Sequence, residues 1–159
     1  MAVLDYKQAA QPTELETDRV FVFLQEEDTG LCLAQRRKKD GTWGLTGGQV
    51  DAGESPKEAA LRECDEEIGY VPSNIEEIFA FPVTTEEGER KLCRIFKATV
   101  SNRESLKFTP CPKEVSGLLW ALHNNWPTPP HRKMPRLIKS IEQFINPNRC
   151  TYTALTFAE

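Results

Sequence analysis

The residues from Ser55 to Gly69 spell out a helix with both ends marked, and no other segment constrains the fold as tightly. Ser55 is a favourable N-cap, Pro56 fits the first helical position, and Glu58, three residues after Ser55, completes a capping box. Gly69 is placed to stop the helix. Ala60, Leu61, Cys64 and Ile68 recur at helical spacing as one apolar stripe, which has to be covered by a second layer. Away from that stripe, Glu63, Glu66 and Glu67 are related by three and four positions and therefore share a face. Three like charges on one face repel, and only Arg62 lies among them. Two readings are open: a solvated acidic face, or a site for a hard cation such as Mg²⁺, which takes carboxylate oxygens and keeps several waters.

The covering layer is legible on either side of this helix. Arg19 to Gln25 is apolar on both alternating faces, as in a strand covered on both sides. Further strands are expected at Leu31 to Gln35, Ile75 to Val83, Leu92 to Val100 and Gly117 to Leu122, and a second helix from about Arg132 to Ile145. That helix would bury Leu137, Ile138, Ile141, Phe144 and Ile145. Arg36 to Gly41 reads as a basic loop, followed by the glycine-rich Trp43 to Gly48 and a short extended piece at Gln49 to Asp51. Strands predominate and two helices are available to cover them, which predicts an α/β/α sandwich around a mixed β-sheet. The 159 residues are the length of one domain, with a core at about 18–145 and short tails.

Composition narrows the functional classes. Hydrophobic residues at 39% and charged residues at 28% are the balance of a globular chain, and no apolar run approaches the ~20 residues of a membrane span. Residues 1–18 have no apolar region of a secretory signal. A net charge of -4 argues against a general nucleic-acid binder, although a local basic cluster could still hold a small anionic ligand. Five cysteines with no C-x2-C spacing argue against a zinc site or a disulfide framework and for free thiols in a reducing cytoplasm.

From Gly48 onward the spacing is Gly48, five residues, Glu54, seven residues, Arg62-Glu63, Cys64, Asp65, Glu66-Glu67, Ile68, Gly69, Tyr70. This resembles the Nudix box, G-x5-E-x7-R-E-U-x-E-E-x-G-U with U a bulky apolar residue, and every fixed position is matched. Cys64 and Tyr70 are unusual choices for the two U positions. Trp43 to Gly48 is similar to the W-x-x-P-G-G that precedes the box in that family, with Thr46 where the proline stands.

The resemblance implies Mg²⁺-dependent hydrolysis, with Mn²⁺ as a substitute, of a diphosphate bond in a nucleoside diphosphate linked to another group. Glu63, Glu66 and Glu67, with a carbonyl of Gly47 or Gly48, would ligate the metal. Glu54 and Arg62 would pair and hold the preceding loop against the helix. The general base would be Glu66 or Glu67, with Glu114 as the candidate from a loop. Arg36, Arg37 and Trp120 are the candidates for contacting a small-molecule nucleotide substrate. Markers of two subgroups are missing: no proline stands at 85 or 86, and Glu87 stands where a tyrosine marks diadenosine polyphosphate hydrolases. A non-catalytic nucleotide sensor of the same fold and an RNA 5′-end pyrophosphohydrolase are the alternatives, and a homodimer is left open.

Overall fold

The computed structural model of this chain describes residues 15–142. Seven strands are found there: β1 (Thr17–Glu26), β2 (Cys32–Arg37), β3 (Trp43–Gly44), β4 (Thr46–Gln49), β5 (Glu76–Thr84), β6 (Arg90–Val100) and β7 (Val115–Ala121). They form one sheet in the order β3-β2-β1-β6-β5, with β4 added to β1 and β7 to β2. The β1–β6 pair is parallel and the others are antiparallel, so the sheet is mixed. Helix α1 (Pro56–Ile68) covers one face and α2 (Met134–Ile141) the other, with a short 3₁₀ turn at Arg103–Ser105. The predicted three-layer α/β arrangement is therefore the observed one.

The capping residues of α1 act as their chemistry requires. The Glu58 N–H donates to Ser55 Oγ at 3.1 Å, and the Ser55 N–H donates to Glu58 Oε1 at 2.9 Å. Such a cap is worth about 1 kcal/mol. At the other end Gly69 takes φ +66° and its N–H donates to the Cys64 carbonyl at 3.0 Å. Any Cβ there would also crowd the Thr109 backbone.

β1 explains why the core has two halves. Val20, Val22 and Leu24 point to the α1 side, where they meet Ala59, Ala60, Cys64 and Ile68. Phe21 and Phe23 point the other way and pack with Leu122, Met134, Leu137 and Ile141. Full burial of one such side chain is worth about 1.5–3 kcal/mol, and β1 buries them on both faces.

Three local expectations change. The glycine-rich stretch, assigned no strand from the sequence, supplies β3 and β4, and Thr46 to Gln49 pairs along β1 from Val22 to Arg19. Leu61 is half-exposed and Ala59 takes its place under the sheet. Arg36 and Arg37 belong to β2 rather than a loop. Phe144, Ile145 and Cys150 lie outside the described residues. Cys64, Cys93 and Cys111 are free thiols, and the Cys32 thiol donates to the Gly30 carbonyl at 3.4 Å. Among the described residues, no helix is long and apolar enough to cross a membrane.

Candidate functional site

The site lies where β2 and β4 share one edge of β1. β4 occupies that edge from Arg19 to Val22, whereas β2 meets β1 only at Gln25 and then pairs with β3 and β7. Between the two diverging strands is a cavity of about 840 Å³, and the carboxylate edge of α1 forms one of its walls.

Gly47 and Gly48 let the helix come this close. A Cβ on Gly48 would overlap the Glu63 carboxylate, and one on Gly47 would overlap the Val20 carbonyl and the Phe21 ring. As a result Glu63 and Glu67 are buried, at 9% and 8% exposure, while Glu66 is exposed. The acidic face is thus not a solvated one: two of its three carboxylates are inside the protein.

Glu67 is held by Gln35 and the Gly47 backbone, and Glu63 and Glu66 by Arg62. Glu67 Oε1 accepts from Gln35 Nε2 at 2.8 Å and from the Gly47 N–H at 3.2 Å. The Thr46 hydroxyl in turn donates to Gln35 Oε1 at 2.8 Å, so Gln35 is fixed from both ends. Burial pushes Glu67 up to about 8; the bonds from Gln35 and Gly47 oppose this and the neighbouring Glu63 reinforces it. Burial also raises Glu63, with Arg62 acting against it.

Arg62 gathers the rest. Its Nε and Nη2 meet the two oxygens of Glu54 at 2.7 and 3.1 Å, and Nη2 reaches the Gln49 carbonyl at 2.9 Å. Nη1 lies against Glu63 Oε2 at 3.2 Å and Glu66 Oε1 at 3.1 Å. The Arg62 hydrogen bond in particular holds Glu54 below the usual carboxylate range. The loop carrying Glu54 is thereby tied to α1.

The donor set suits a hard divalent cation in its chemistry. Two adjacent carboxylates whose proton affinity is raised foremost by burial, with a third beside them, are relieved by positive charge. Among the described residues, however, no three His, Cys, Asp or Glu side chains already form a metal-holding group. Arg62 Nη1 supplies the positive charge between Glu63 and Glu66 instead.

A family model described as the NUDIX domain matches residues 15–144. The chain belongs to that family. A relative from Photobacterium profundum, named NAD-capped RNA hydrolase NudC, is 29% identical over 106 residues, 64% of this chain and 36% of that protein. The chain spans about a third of the length of the first curated relatives it matches. Among solved structures, a MutT NUDIX hydrolase from Burkholderia pseudomallei superposes with a TM-score of 0.62 at 24% identity, covering 79% of this chain and 99% of that one. The NUDIX domain of Shewanella oneidensis NrtR, solved with ADP ribose, gives 0.62 at 21% identity, covering 91% and 99%.

In this NUDIX chain the cavity gathers most of the residues singled out from the sequence, and separates a few. Gly47, Gly48, Glu63, Glu66, Glu67, Arg37 and Glu114 line it. Glu114 is exposed on the loop before β7, and its carbonyl accepts from the Lys38 N–H at 2.9 Å. Glu54 holds Arg62 from outside the cavity. Arg36 does not reach it: the residue pairs with Trp43 and Gly117, and a register shift separates it from Arg37. Trp120 is also elsewhere, tilted against Phe108 with ring centroids 6.1 Å apart and packed into the core.

Sequence reasoning missed Gln35, Thr46, His131 and the cations Arg19 and Lys133. Gln35 had a signal, a lone amide ending the otherwise apolar run Leu31 to Ala34. His131, in the loop before α2, is half-buried on the cavity wall and its Nδ1 accepts from the Lys133 N–H at 3.2 Å. Burial foremost lowers its pKa, and Arg37 and Lys133 add to this.

Proposed function

We propose that this chain hydrolyses a diphosphate bond in a nucleoside diphosphate linked to another group, using Mg²⁺ or Mn²⁺. The observation that carries this reading is the buried Glu63–Glu67 pair, backed by Gly47 and Gly48 and opening with Glu66 into a cavity that also has a basic wall. A purely structural acidic face would have no reason to bury two carboxylates beside each other, since burial without compensation costs several kcal/mol. The relatives' names point the same way, because NAD caps and ADP ribose both contain a nucleoside diphosphate.

Glu63, Glu66 and Glu67, with a backbone carbonyl of Gly47 or Gly48, would hold the cation. When bound it supplies charge neutralisation for the diphosphate and a lowered pKa for an attacking water. Gln35 keeps one oxygen of Glu67 turned toward the Gly47 backbone and leaves the other unclaimed by that chain of bonds. Arg62 and Glu54 keep the loop from drifting away from α1. Of the carboxylates on the cavity, Asp51, Glu66 and Glu114 are exposed, and exposure suits Glu66 or Glu114 for taking a proton from water.

The test is phosphate release over nucleoside triphosphates, nucleotide sugars, dinucleoside polyphosphates and NAD- or phosphate-capped RNA, with Mg²⁺ and with Mn²⁺. At least one class should turn over, and Glu66→Gln and Glu67→Gln should each reduce that turnover by ~10²-fold or more with the fold intact. Binding without turnover across the whole panel would replace this reading with a nucleotide sensor.

A further inference from the structure

The second wall of the cavity has the opposite sign and no role so far. Side chains alternate along β1, and Arg19 continues the Phe21–Phe23 row toward the α2 face. Lys133, the residue that opens α2, lies there too, so strand and helix bring both cations to the cavity wall, and with Phe21 and Leu137 they also border a smaller adjoining pocket lined by Asp18. Both side chains are half-buried. Neither forms an ion pair with a carboxylate among the described residues. Burial foremost, and then Arg19, lowers the proton affinity of Lys133; Cys93 and Asp18 offset this only in part.

The other basic residues of the cavity are differently placed. Arg37 lies 3.8 Å from Asp40, and Lys38 donates to the Pro112 carbonyl at 3.0 Å. Lys39, Lys113 and Arg132 are exposed at the rim. Two half-buried like charges facing a cavity raise the free energy of the empty protein, and an anion between them removes that cost. A diphosphate held at the carboxylate wall leaves this second wall with only the partial compensation of Asp18. The fork of an arginine beside the point charge of a lysine suits phosphate oxygens.

We propose that Arg19 and Lys133 form an anion subsite for a phosphate beyond the diphosphate held at the carboxylate wall. The substrate class is then a nucleoside triphosphate, in preference to a nucleoside diphosphate linked to an uncharged sugar. The proposal rests on the hydrolase reading for its substrate but not for its anion.

Isothermal titration with inorganic triphosphate in chelator tests the subsite without any metal. The wild type should bind, Arg19→Gln and Lys133→Gln should each weaken binding by ~10-fold or more, and Lys133→Arg should stay within ~threefold. In Mg²⁺, the ratio of kcat/KM for a nucleoside triphosphate over an uncharged nucleotide sugar should fall by ~10-fold or more in the Gln variants. Melting temperatures check the fold. Should Lys133→Gln melt early, Arg19→Gln, on a strand held by its backbone ladder, carries the same comparison. No binding by the wild type, or equal binding by wild type and variants, overturns the subsite. A ratio that does not move overturns the substrate assignment. A wild type that turns over nothing, yet binds triphosphate through these two residues, overturns the hydrolase reading and leaves the subsite standing.

Discussion

Replacing Arg62 with alanine removes the one cation that holds the acidic edge of α1 to its loop. The guanidinium makes hydrogen bonds to Glu54, Glu63, Glu66 and the Gln49 carbonyl at 2.7 to 3.2 Å. Its side chain is 25% exposed, so these bonds are neither free in water nor sealed from it. Breaking a buried ion pair costs about 3–5 kcal/mol and an exposed one about 0–1. Weighting toward the exposed limit for solvent screening gives a loss of about 2 kcal/mol, most of it from leaving the buried Glu63 without its counter-charge. At roughly 2–4 °C per kcal/mol for a chain of this size, the melting temperature should drop by about 4–8 °C. The assay is thermal melting by circular dichroism near neutral pH, in chelator and in Mg²⁺. The drop should be larger in chelator, because added Mg²⁺ gives Glu63 and Glu66 another positive partner. Arg62→Lys should recover less than half of the loss, since an ammonium cannot span both Glu54 and Gln49 as the fork does. A melting temperature within ~1 °C of wild type in chelator would refute the argument and make Arg62 a surface residue.

The two glycines of β4 should fail differently. Gly47→Ala meets the rigid Val20 backbone and should destabilise the fold by ~2 kcal/mol or more, whereas Gly48→Ala meets the movable end of Glu63 and should keep the fold while cutting turnover at least ~10-fold. Melts and rates on both variants decide; equal melting temperatures would count against this packing. In chelator, Glu67 keeps its proton to about pH 8 in the fold but only to about 4.5 when unfolded. The folded state therefore binds more protons between those values, so stability should fall as pH rises from about 4.5 to about 8 and level off above. Glu67→Gln should flatten that slope, and a melting-temperature profile unchanged by it would refute the burial argument. Glu114→Gln should lower kcat at least ~10-fold with KM nearly unchanged; a loss under ~threefold with unchanged Mg²⁺ dependence would place Glu114 outside the chemistry.

Much of the site was legible because it is local. Ser55, Pro56, Glu58 and Gly69 act within one turn of themselves, so the helix and the positions of Glu63, Glu66 and Glu67 on it follow from spacing alone. The pairing of Glu54 with Arg62 is set by the same short stretch, in which the loop needs only to fold back on the helix it precedes. β1 was legible for a related reason: an unbroken apolar run has to be covered on both sides, wherever the covers come from.

What the tertiary structure decided depends on residues that meet from far apart. Whether a carboxylate on α1 faces water or the interior is set by what lies over it, here β4 with two missing side chains, and that is why Glu63 and Glu67 are buried and Glu66 is not. Gln35 and Glu67 come from different elements, and only the divergence of β2 from β1 brings the amide to the carboxylate. Arg36 and Arg37 are adjacent on β2, so alternation sends them to opposite sides, but only the fold decides that the side with Gln35 and Arg37 is the one facing the cavity. Arg19 and Lys133 sit near opposite ends of the described chain, and they share a cavity wall because α2 is laid across the face to which β1 turns its odd-numbered residues.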